Sequence, residues 1–362
     1  MTNELFTPIK VGNLKLANRA FMAPMTRGRA GESRVANELI AEYYRQRAEA
    51  GLIVTEATAV SADGYGWVGA PAIYTDEQQR GWQKTTEAVH RAGGVIFLQL
   101  WHMGRVSHPD FLDAQSPVGP SAVAAQGESV TPAGKKPYVV PRELSVSDLS
   151  ALRHAYGAAT VRALEAGFDG VEIHSANGYL LDQFLRDGSN RRNDEYGGTI
   201  ENRMRFPLEI VDTVVEKAGC KRVGLRISPV NAYNDMKDSN PAELFSSYAG
   251  ELDKRGLAYL HVLEALPGHF LHTEGYDPVL PEIRKAFNSV LVANGGYDYQ
   301  SATELIRSGG ADVVAFGIPF LANPDLLVRF KSGAELNQPD MDTFYSAGTA
   351  GYTDYPFLDQ NG

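Results

Sequence analysis

The sequence predicts an α/β fold of the TIM (β/α)8 barrel type, in which eight parallel strands close a ring inside a layer of helices. Short apolar runs rich in β-branched residues occur eight times along the 362 residues, and segments with helical periodicity separate them. This alternation indicates parallel strands joined by crossover helices. An open sheet of eight parallel strands usually shows a domain break, and no shift in composition marks one here. We therefore expect one barrel domain over residues 1–362.

The predicted strands follow one another in chain order at 19–26, 52–60, 95–101, 170–176, 222–229, 259–265, 289–296 and 313–317. Between the third and the fourth strand, apolar residues such as Leu149, Leu152 and Tyr156 recur at the spacing of one helix face. Ser145 and Asp148 have the spacing of a capping box, which predicts the start of that helix.

Three further segments account for most of the length beyond the ~250 residues of a bare barrel. Residues 1–19 contain a predicted hairpin, residues 102–147 form a Pro-, Gly- and Ser-rich excursion after strand three, and residues 331–362 form a polar tail. Loops that follow barrel strands lie at the catalytic face, so we expect the excursion to cap the site there.

Composition excludes several classes of function. The chain has 34 Lys and Arg against 44 Asp and Glu, a net charge of −10, which makes nucleic acid and anionic membranes unsuitable partners. The single cysteine, Cys220, excludes an internal disulfide, a cysteine-based zinc site and an iron–sulfur cluster. No export signal or apolar run of membrane-spanning length is present, so we expect a cytoplasmic protein. The oligomeric state is not predicted.

The carboxyl ends of the predicted strands argue against two large groups of barrel enzymes. No lysine stands there, which disfavours a Schiff-base aldolase, and no carboxylate set suits a metal-dependent barrel. We interpret His102 and His108 as loop histidines because their spacing is unspecific for a metal, and we predict no metal site. A G-x-G-x-x-G match starts at Gly64, but Pro71 follows it and no helix begins there, so we interpret it as a chance match.

Other residues at the strand ends suggest chemistry. His174, Asn177 and Tyr179 follow strand four closely enough for two donors and a phenol to face one pocket. Arg226 stands in an apolar strand, where it must pair with a carboxylate or a charged ligand. The glycines after strands seven and eight either turn backbone N–H groups toward a phosphate or simply form turns.

Longer motifs carry a resemblance to a known family. The most specific are HSANGYLLDQFL and NDEYGGTIENR, joined by LFTPIKVGNLKLANRAFMAPMTR, LQLWHMGRVSHP, AFGIPFLANPDL and GYTDYP. Together they resemble the Old Yellow Enzyme family of FMN-dependent NAD(P)H oxidoreductases along nearly the whole chain. The resemblance implies an eight-stranded barrel with FMN at its mouth and NAD(P)H as co-substrate.

The resemblance also implies how FMN is held. Thr26 hydrogen-bonds the flavin carbonyl next to N5, while Gln99 and Arg226 bind the pyrimidine end, where Arg226 stabilises the negative charge of the reduced ring. The implied cofactor residues are Pro24, Met25, Thr26, Ala57, Gln99, Arg226, Asn294, Gly295, Gly296, Phe316 and Gly317.

For catalysis, the resemblance implies reduction of activated C=C bonds in α,β-unsaturated carbonyls and nitroalkenes, or attack on nitrate esters, by ping-pong hydride transfer. His174 and Asn177 hold the substrate oxygen, and Tyr179 donates the proton. Many relatives have a second histidine where this chain has Asn177. The implied substrate-binding residues are His174, Asn177, Thr26, Trp101 and Tyr345.

One position departs from the family pattern. Ile318 stands where many relatives have an arginine that pairs with the FMN phosphate. We expect weaker retention of FMN unless Arg222, Lys221 or backbone N–H groups compensate. Three alternatives remain open: a flavin dehydrogenase of undefined substrate, a non-catalytic flavin-binding barrel, and a flavin-independent lyase or hydrolase. The natural substrate and the choice between NADPH and NADH are not predicted.

Overall fold

The computed structural model describes residues 4–358 and contains the predicted barrel. The strands are β1 Ile9–Val11, β2 Leu14–Leu16, β3 Ala20–Met22, β4 Leu52–Ala59, β5 Ile96–Trp101, β6 Val118–Gly119, β7 Glu128–Thr131, β8 Gly134–Pro137, β9 Arg142–Glu143, β10 Gly170–His174, β11 Val223–Ile227, β12 Tyr259–Leu263, β13 Val290–Asn294 and β14 Val313–Phe316. Strands β3, β4, β5 and β10 to β14 form the closed barrel, with each strand parallel to its neighbours in chain order. The predicted fold class is confirmed, and each of the eight predicted strands contains one barrel strand.

Helices surround the barrel. They are α1 Glu38–Arg45, α2 Asp76–Arg91, α3 Val146–Glu165, α4 Leu180–Leu185, α5 Ile200–Ala218, α6 Pro241–Lys254, α7 Leu280–Ala286, α8 Tyr299–Arg307, α9 Ile318–Ala322 and α10 Leu326–Ser332. The capping box predicted for α3 is present, because the Ser145 side chain accepts from the Asp148 N–H and the Asp148 carboxylate accepts from the Ser145 N–H. No helix among residues 4–358 is long and apolar enough to cross a membrane.

The predicted N-terminal hairpin, β1–β2, lies at the amino-terminal end of the barrel. Its turn is at Gly12, which has a φ of 56°. A Cβ at this position would lie 2.0 Å from the carbonyl oxygen of Lys221, at the start of β11, so the turn requires glycine for its conformation and for its close approach. Cys220 is in the same helix-to-strand loop, away from the carboxyl ends of the strands.

The excursion 102–147 contributes no residue to the cavity wall among those that the structure describes, contrary to the expectation that it would cap the site. It contains the antiparallel pair β7–β8 and the short pair β6–β9. The Arg105 side chain donates to the carbonyl oxygens of Asn234 and Asp235, which holds the excursion against the loop after β11. Tyr138 packs against the hydrophobic cluster that includes Tyr179, so the excursion supports the site from behind.

The C-terminal tail lies at the barrel mouth, next to the segment that follows β3. Arg27, which follows β3, donates to the carbonyl oxygens of Phe344 at 3.0 Å and Gly351 at 2.7 Å in the tail. Arg29 donates to the Phe344 carbonyl oxygen at 2.8 Å. These contacts place Tyr345 at the barrel mouth, edge-to-face with Trp67. Residues 359–362 of the predicted tail lie outside the described residues.

Candidate active site

A cavity of about 420 Å³ opens at the carboxyl ends of the barrel strands, within the range of ligand sites. The structure brings nearly all of the candidate residues to its wall. Those that line it are Pro24, Met25, Thr26, Ala57, Gln99, His174, Asn177, Tyr179, Arg226, Asn294, Gly295, Gly296, Phe316, Gly317 and Tyr345.

Trp101 is the candidate that the structure places elsewhere. Its side chain is 1% exposed and packs edge-to-face against Tyr179, with the ring centroids 5.3 Å apart. It is therefore one layer behind the wall, and the tryptophan that lines the cavity is Trp67. The alternation of side chains along β5 sends Gln99 and Trp101 to the same face, but Tyr179 fills the space between Trp101 and the cavity.

His174 presents a neutral N–H to the cavity. Its Nδ1 accepts from the Ala176 N–H at 3.3 Å, which leaves the proton on Nε2. Burial, with a further contribution from the charge of Arg226, holds the pKa of His174 well below its ordinary value. The imidazole is therefore an uncharged donor in the neutral pH range.

Asn177 is held so that its amide group also faces the cavity as a donor. The residue has a φ of 57°, its N–H donates to Ser228 Oγ at 2.7 Å, and its Oδ1 accepts from Asn231 Nδ2 at 3.0 Å. Because Oδ1 is engaged, Nδ2 is the atom left to donate. Asn tolerates the left-handed backbone better than most residues, which suits this turn after β10.

Tyr179 completes this side of the cavity. It is the N-cap residue of α4, and its ring packs edge-to-face on His174 with centroids 4.8 Å apart. The side chain is 9% exposed, and burial raises its pKa well above the ordinary value for tyrosine. The phenol therefore keeps its proton and can donate it into the cavity.

Arg226 lines the cavity and is buried. Its Nη2 donates to Asn294 Oδ1 at 2.7 Å, and Asn294 Nδ2 donates in turn to the Ala315 carbonyl oxygen at 2.8 Å. Oδ1 of Asn294 thus binds Arg226, and Nδ2 fixes Asn294 to the neighbouring strand, so the Asn294 side chain positions the arginine. Arg226 Nε is buried without a partner among the described residues, as expected for a group that awaits a ligand.

Glu172 and His261, which sequence reasoning missed, form a buried network below Arg226. Glu172 Oε1 accepts from Gln99 Nε2 at 2.8 Å, and Oε2 accepts from Tyr259 Oη at 3.1 Å and from His261 Nδ1 at 2.9 Å. Burial raises the pKa of Glu172, but the contacts with His261, Arg226 and Gln99 outweigh it and lower the pKa below its ordinary value. An ionised Glu172 supplies the negative charge that a buried Arg226 requires. The sequence signal that could have found Glu172 is its place in GVEIH, two residues before His174 and therefore on the same face of the strand.

The substitution Glu172→Gln tests this network. Because the folded-state pKa of Glu172 is depressed, its stabilisation is present above the unfolded-state pKa near 4.5 and is lost as the pH falls through the folded value. We expect the variant to lose about 3–5 kcal/mol of unfolding free energy at pH 7, because Arg226 keeps a buried charge without a counter-charge. Below pH 7 we expect the unfolding free energy of the variant to fall less steeply with decreasing pH than that of the wild type.

Urea unfolding at pH 7 and pH 4 measures both effects. Glu264→Gln is the matched control, because burial raises the pKa of the Glu264 carboxyl. The contribution of Glu264 to the free energy of unfolding therefore changes with pH in the opposite direction to that of Glu172. An acid limb in Glu172→Gln as steep as that of the wild type would contradict the assignment of an ionised Glu172.

The far end of the cavity is formed by the glycine turns after β13 and β14. Gly295 has a φ of 133°, and a Cβ there would lie 2.5 Å from the Glu264 carbonyl oxygen, so the turn requires glycine. The proposed compensators for Ile318 do not reach this end. Arg222 donates to the carbonyl oxygens of Phe168 and Asp169 at the amino-terminal end of the barrel, and Lys221 is at that same end. Arg222 and Lys221 therefore do not compensate for Ile318, because both lie at the amino-terminal end of β11, away from the cavity.

Comparisons with known proteins show the family to which the chain belongs. The model of the NADH:flavin oxidoreductase / NADH oxidase family matches residues 4–337. The chain belongs to the Old Yellow Enzyme family. It is 42% identical to a Leishmania infantum protein named "Probable flavin mononucleotide-dependent alkene reductase", over 98% of this chain and 97% of that protein.

Solved structures of the family are equally similar. The Old Yellow Enzyme homologue from Zymomonas mobilis superimposes with a TM-score of 0.96 at 44% identity, covering 98% of this chain and 99% of that one. Morphinone reductase in complex with tetrahydroNAD gives a TM-score of 0.93 at 47% identity, covering 98% of each chain. The chain is thus an FMN-dependent oxidoreductase of activated alkenes with a nicotinamide co-substrate, and the predicted family, enzyme class and cofactor are confirmed.

The residues present fit FMN in this Old Yellow Enzyme fold. The orphaned Nε of Arg226 faces a cavity whose other end is formed by closely packed glycine turns. A polar group that bears a partial or developing negative charge suits the arginine, and a phosphate suits exposed backbone N–H groups at such turns.

Two loops supply cavity residues that sequence reasoning missed. The loop after β12 contributes His269, Phe270 and Leu271, and the loop after β11 contributes Tyr233. Phe270 is 71% exposed at the rim. Their only sequence signal was their place after barrel strands, where ligand-binding loops lie in this fold.

Proposed function

We propose that this Old Yellow Enzyme reduces the C=C bond of an α,β-unsaturated carbonyl or nitro compound, with His174 and Asn177 holding the activating oxygen and Tyr179 supplying a proton. The observation that carries the proposal is the meeting of two neutral donors and one protonated phenol on the same wall of the cavity. FMN, when bound, supplies the hydride chemistry by taking hydride from NAD(P)H and passing it to the alkene.

The two donors activate the alkene electronically. When hydride adds at the β-carbon, negative charge develops on the carbonyl or nitro oxygen, and preorganised donors stabilise it. His174 is an uncharged donor because burial lowers its pKa, so it binds the oxygen strongly only as that charge grows. Ser228 and Asn231 hold Asn177 in place, which reduces the reorganisation that the reaction requires.

Tyr179 completes the addition. Its hydroxyl stays protonated because burial raises its pKa, and the α-carbon of the charged intermediate is basic enough to take that proton. The ring packs edge-to-face with both His174 and Trp101, which restricts its orientation and so the direction in which the hydroxyl can donate its proton. We assign the recovery of the phenol proton to solvent that enters from the cavity mouth.

Thr26, Gln99 and Arg226 are assigned to the flavin. Gln99 Nε2 donates to Glu172, which orients the amide and leaves Oε1 as an acceptor toward the cavity. Arg226 offers its unpartnered Nε to the pyrimidine end of the ring, where negative charge increases on reduction.

Anaerobic spectroscopy tests the proposed function. The purified protein is expected to be yellow, to lose its visible flavin absorbance with NADH or NADPH, and to regain it when 2-cyclohexenone or a nitroalkene is added. A protein that cannot be reconstituted with FMN, or a reduced protein that none of a panel of enones, enals, maleimides and nitroalkenes reoxidises, would contradict the proposal.

A further inference from the structure

No lysine or arginine lines the phosphate end of the cavity among residues 4–358. Ile318 lines the far end of the cavity beside Gly317, and Arg226 carries the single fixed positive charge among the described lining residues. That arginine is bound to Asn294 below the ring end of the site. Backbone N–H groups can bind a phosphate at the glycine turns, and a side-chain donor there would add to them what an arginine adds elsewhere.

His269 is the described lining residue with an imidazole at that end. It lies in the loop after β12, half-buried, and packs against Gly296 in the turn after β13. A Cβ built at Gly296 would lie 3.3 Å from Cδ2 of His269. His269 Cβ and Cγ lie at 3.3 Å and 3.5 Å from the same position, so the Cγ–Cδ2 edge of the ring lies against the turn, and Nε2 is the ring atom bonded to Cδ2.

Hydrogen bonding determines which ring nitrogen can donate. His269 Nδ1 accepts from the Leu271 N–H at 3.2 Å, so the proton of the neutral ring is on Nε2. The loop is tied to the same turn, because the Leu266 N–H donates to the Gly295 carbonyl oxygen at 2.8 Å. His272, in the same loop, is instead engaged through Nδ1 with the Ala265 carbonyl oxygen.

We propose that His269 donates from Nε2 to the phosphate of FMN and so takes the place of the arginine that other family members have at position 318. The inference rests on FMN being the cofactor and concerns this chain's own way of holding it. A hydrogen bond from a neutral imidazole to a charged phosphate is directional and binds one face of the phosphate, whereas arginine binds bidentately.

Flavin affinity tests the inference without use of catalytic activity. The enzyme is stripped of flavin and titrated with FMN and with riboflavin, which lacks the phosphate, and quenching of flavin fluorescence gives each Kd. We expect His269→Ala to weaken FMN binding about 10- to 100-fold and to leave riboflavin binding unchanged, as loss of a hydrogen bond to a charged group predicts.

Two more variants make the result specific. His272→Ala removes a histidine from the same loop and is expected to change neither affinity. Ile318→Arg in the His269→Ala background is expected to restore FMN binding and to leave riboflavin binding unchanged.

Unchanged FMN affinity in His269→Ala, or an equal loss for both flavins, would overturn the inference and leave the proposed function intact. Failure of the wild-type protein to bind either flavin would overturn both.

Discussion

Replacing Tyr179 with phenylalanine is expected to slow alkene reduction by about 10²- to 10⁴-fold, the usual contribution of a general acid, while flavin reduction by NAD(P)H stays near the wild-type rate. The substitution removes only the hydroxyl. The aromatic contacts with His174 and Trp101 stay, so the shape of the cavity is kept. Anaerobic stopped-flow measurement of the flavin absorbance separates the two half-reactions.

Tyr233→Phe is the matched control for Tyr179→Phe. Tyr233 lines the same cavity, and burial raises its pKa to about 12, but it lies in the loop after β11 and does not pack on His174. We expect the Tyr233→Phe variant to carry out flavin reduction and alkene reduction at near wild-type rates. Equal slowing of both half-reactions in Tyr179→Phe, or a larger loss in Tyr233→Phe, would contradict the assignment of the proton donor.

Removing either oxygen-binding donor is expected to cost about 10²- to 10³-fold in the rate of alkene reduction, as removal of one oxyanion-hole donor does elsewhere. His174→Ala deletes the neutral Nε2–H, and Asn177→Ala deletes the amide that Asn231 orients. The two donors act on one atom, so the loss in the double variant should be smaller than the product of the single losses. The measurement is the oxidative half-reaction across a range of enone concentrations.

Two further variants show whether the donor itself matters. Asn177→His keeps an N–H donor and is expected to retain activity within about tenfold, since many relatives have histidine at this position. His154→Ala, on the exposed face of α3, should change nothing. If Asn177→Ala reduced alkenes as fast as Asn177→His, the donor role of this position would be wrong.

Local sequence patterns were sufficient to predict the barrel and the central part of its site. The predicted strands are apolar runs of five to nine residues whose pattern is complete within each segment, so their order along the chain already predicts a parallel ring. His174 ends β10, and Asn177 and Tyr179 follow it within five residues. Their proximity therefore needs no information from the rest of the chain.

Contacts between distant segments were decided only by the tertiary structure. Glu172 and His261 are 89 residues apart, and their contact depends on the register between β10, β11 and β12. The sequence predicted that Arg226 needs a negative partner but could not say which carboxylate the register would bring below it. Periodicity shows which side chains share a face, and register decides which of them meet.

The phosphate end of the site shows the same division. The family resemblance places Ile318 where many relatives have an arginine, and the sequence predicts glycines after β13 and β14. The predicted strand at 222–229 already puts Arg222 and Lys221 at the amino-terminal end of the barrel, but no pattern in the sequence brings His269 onto Gly296. The loop after β12 has no repeating pattern, and its path is determined by packing and by hydrogen bonds to residues about 30 positions away, which only the folded chain supplies.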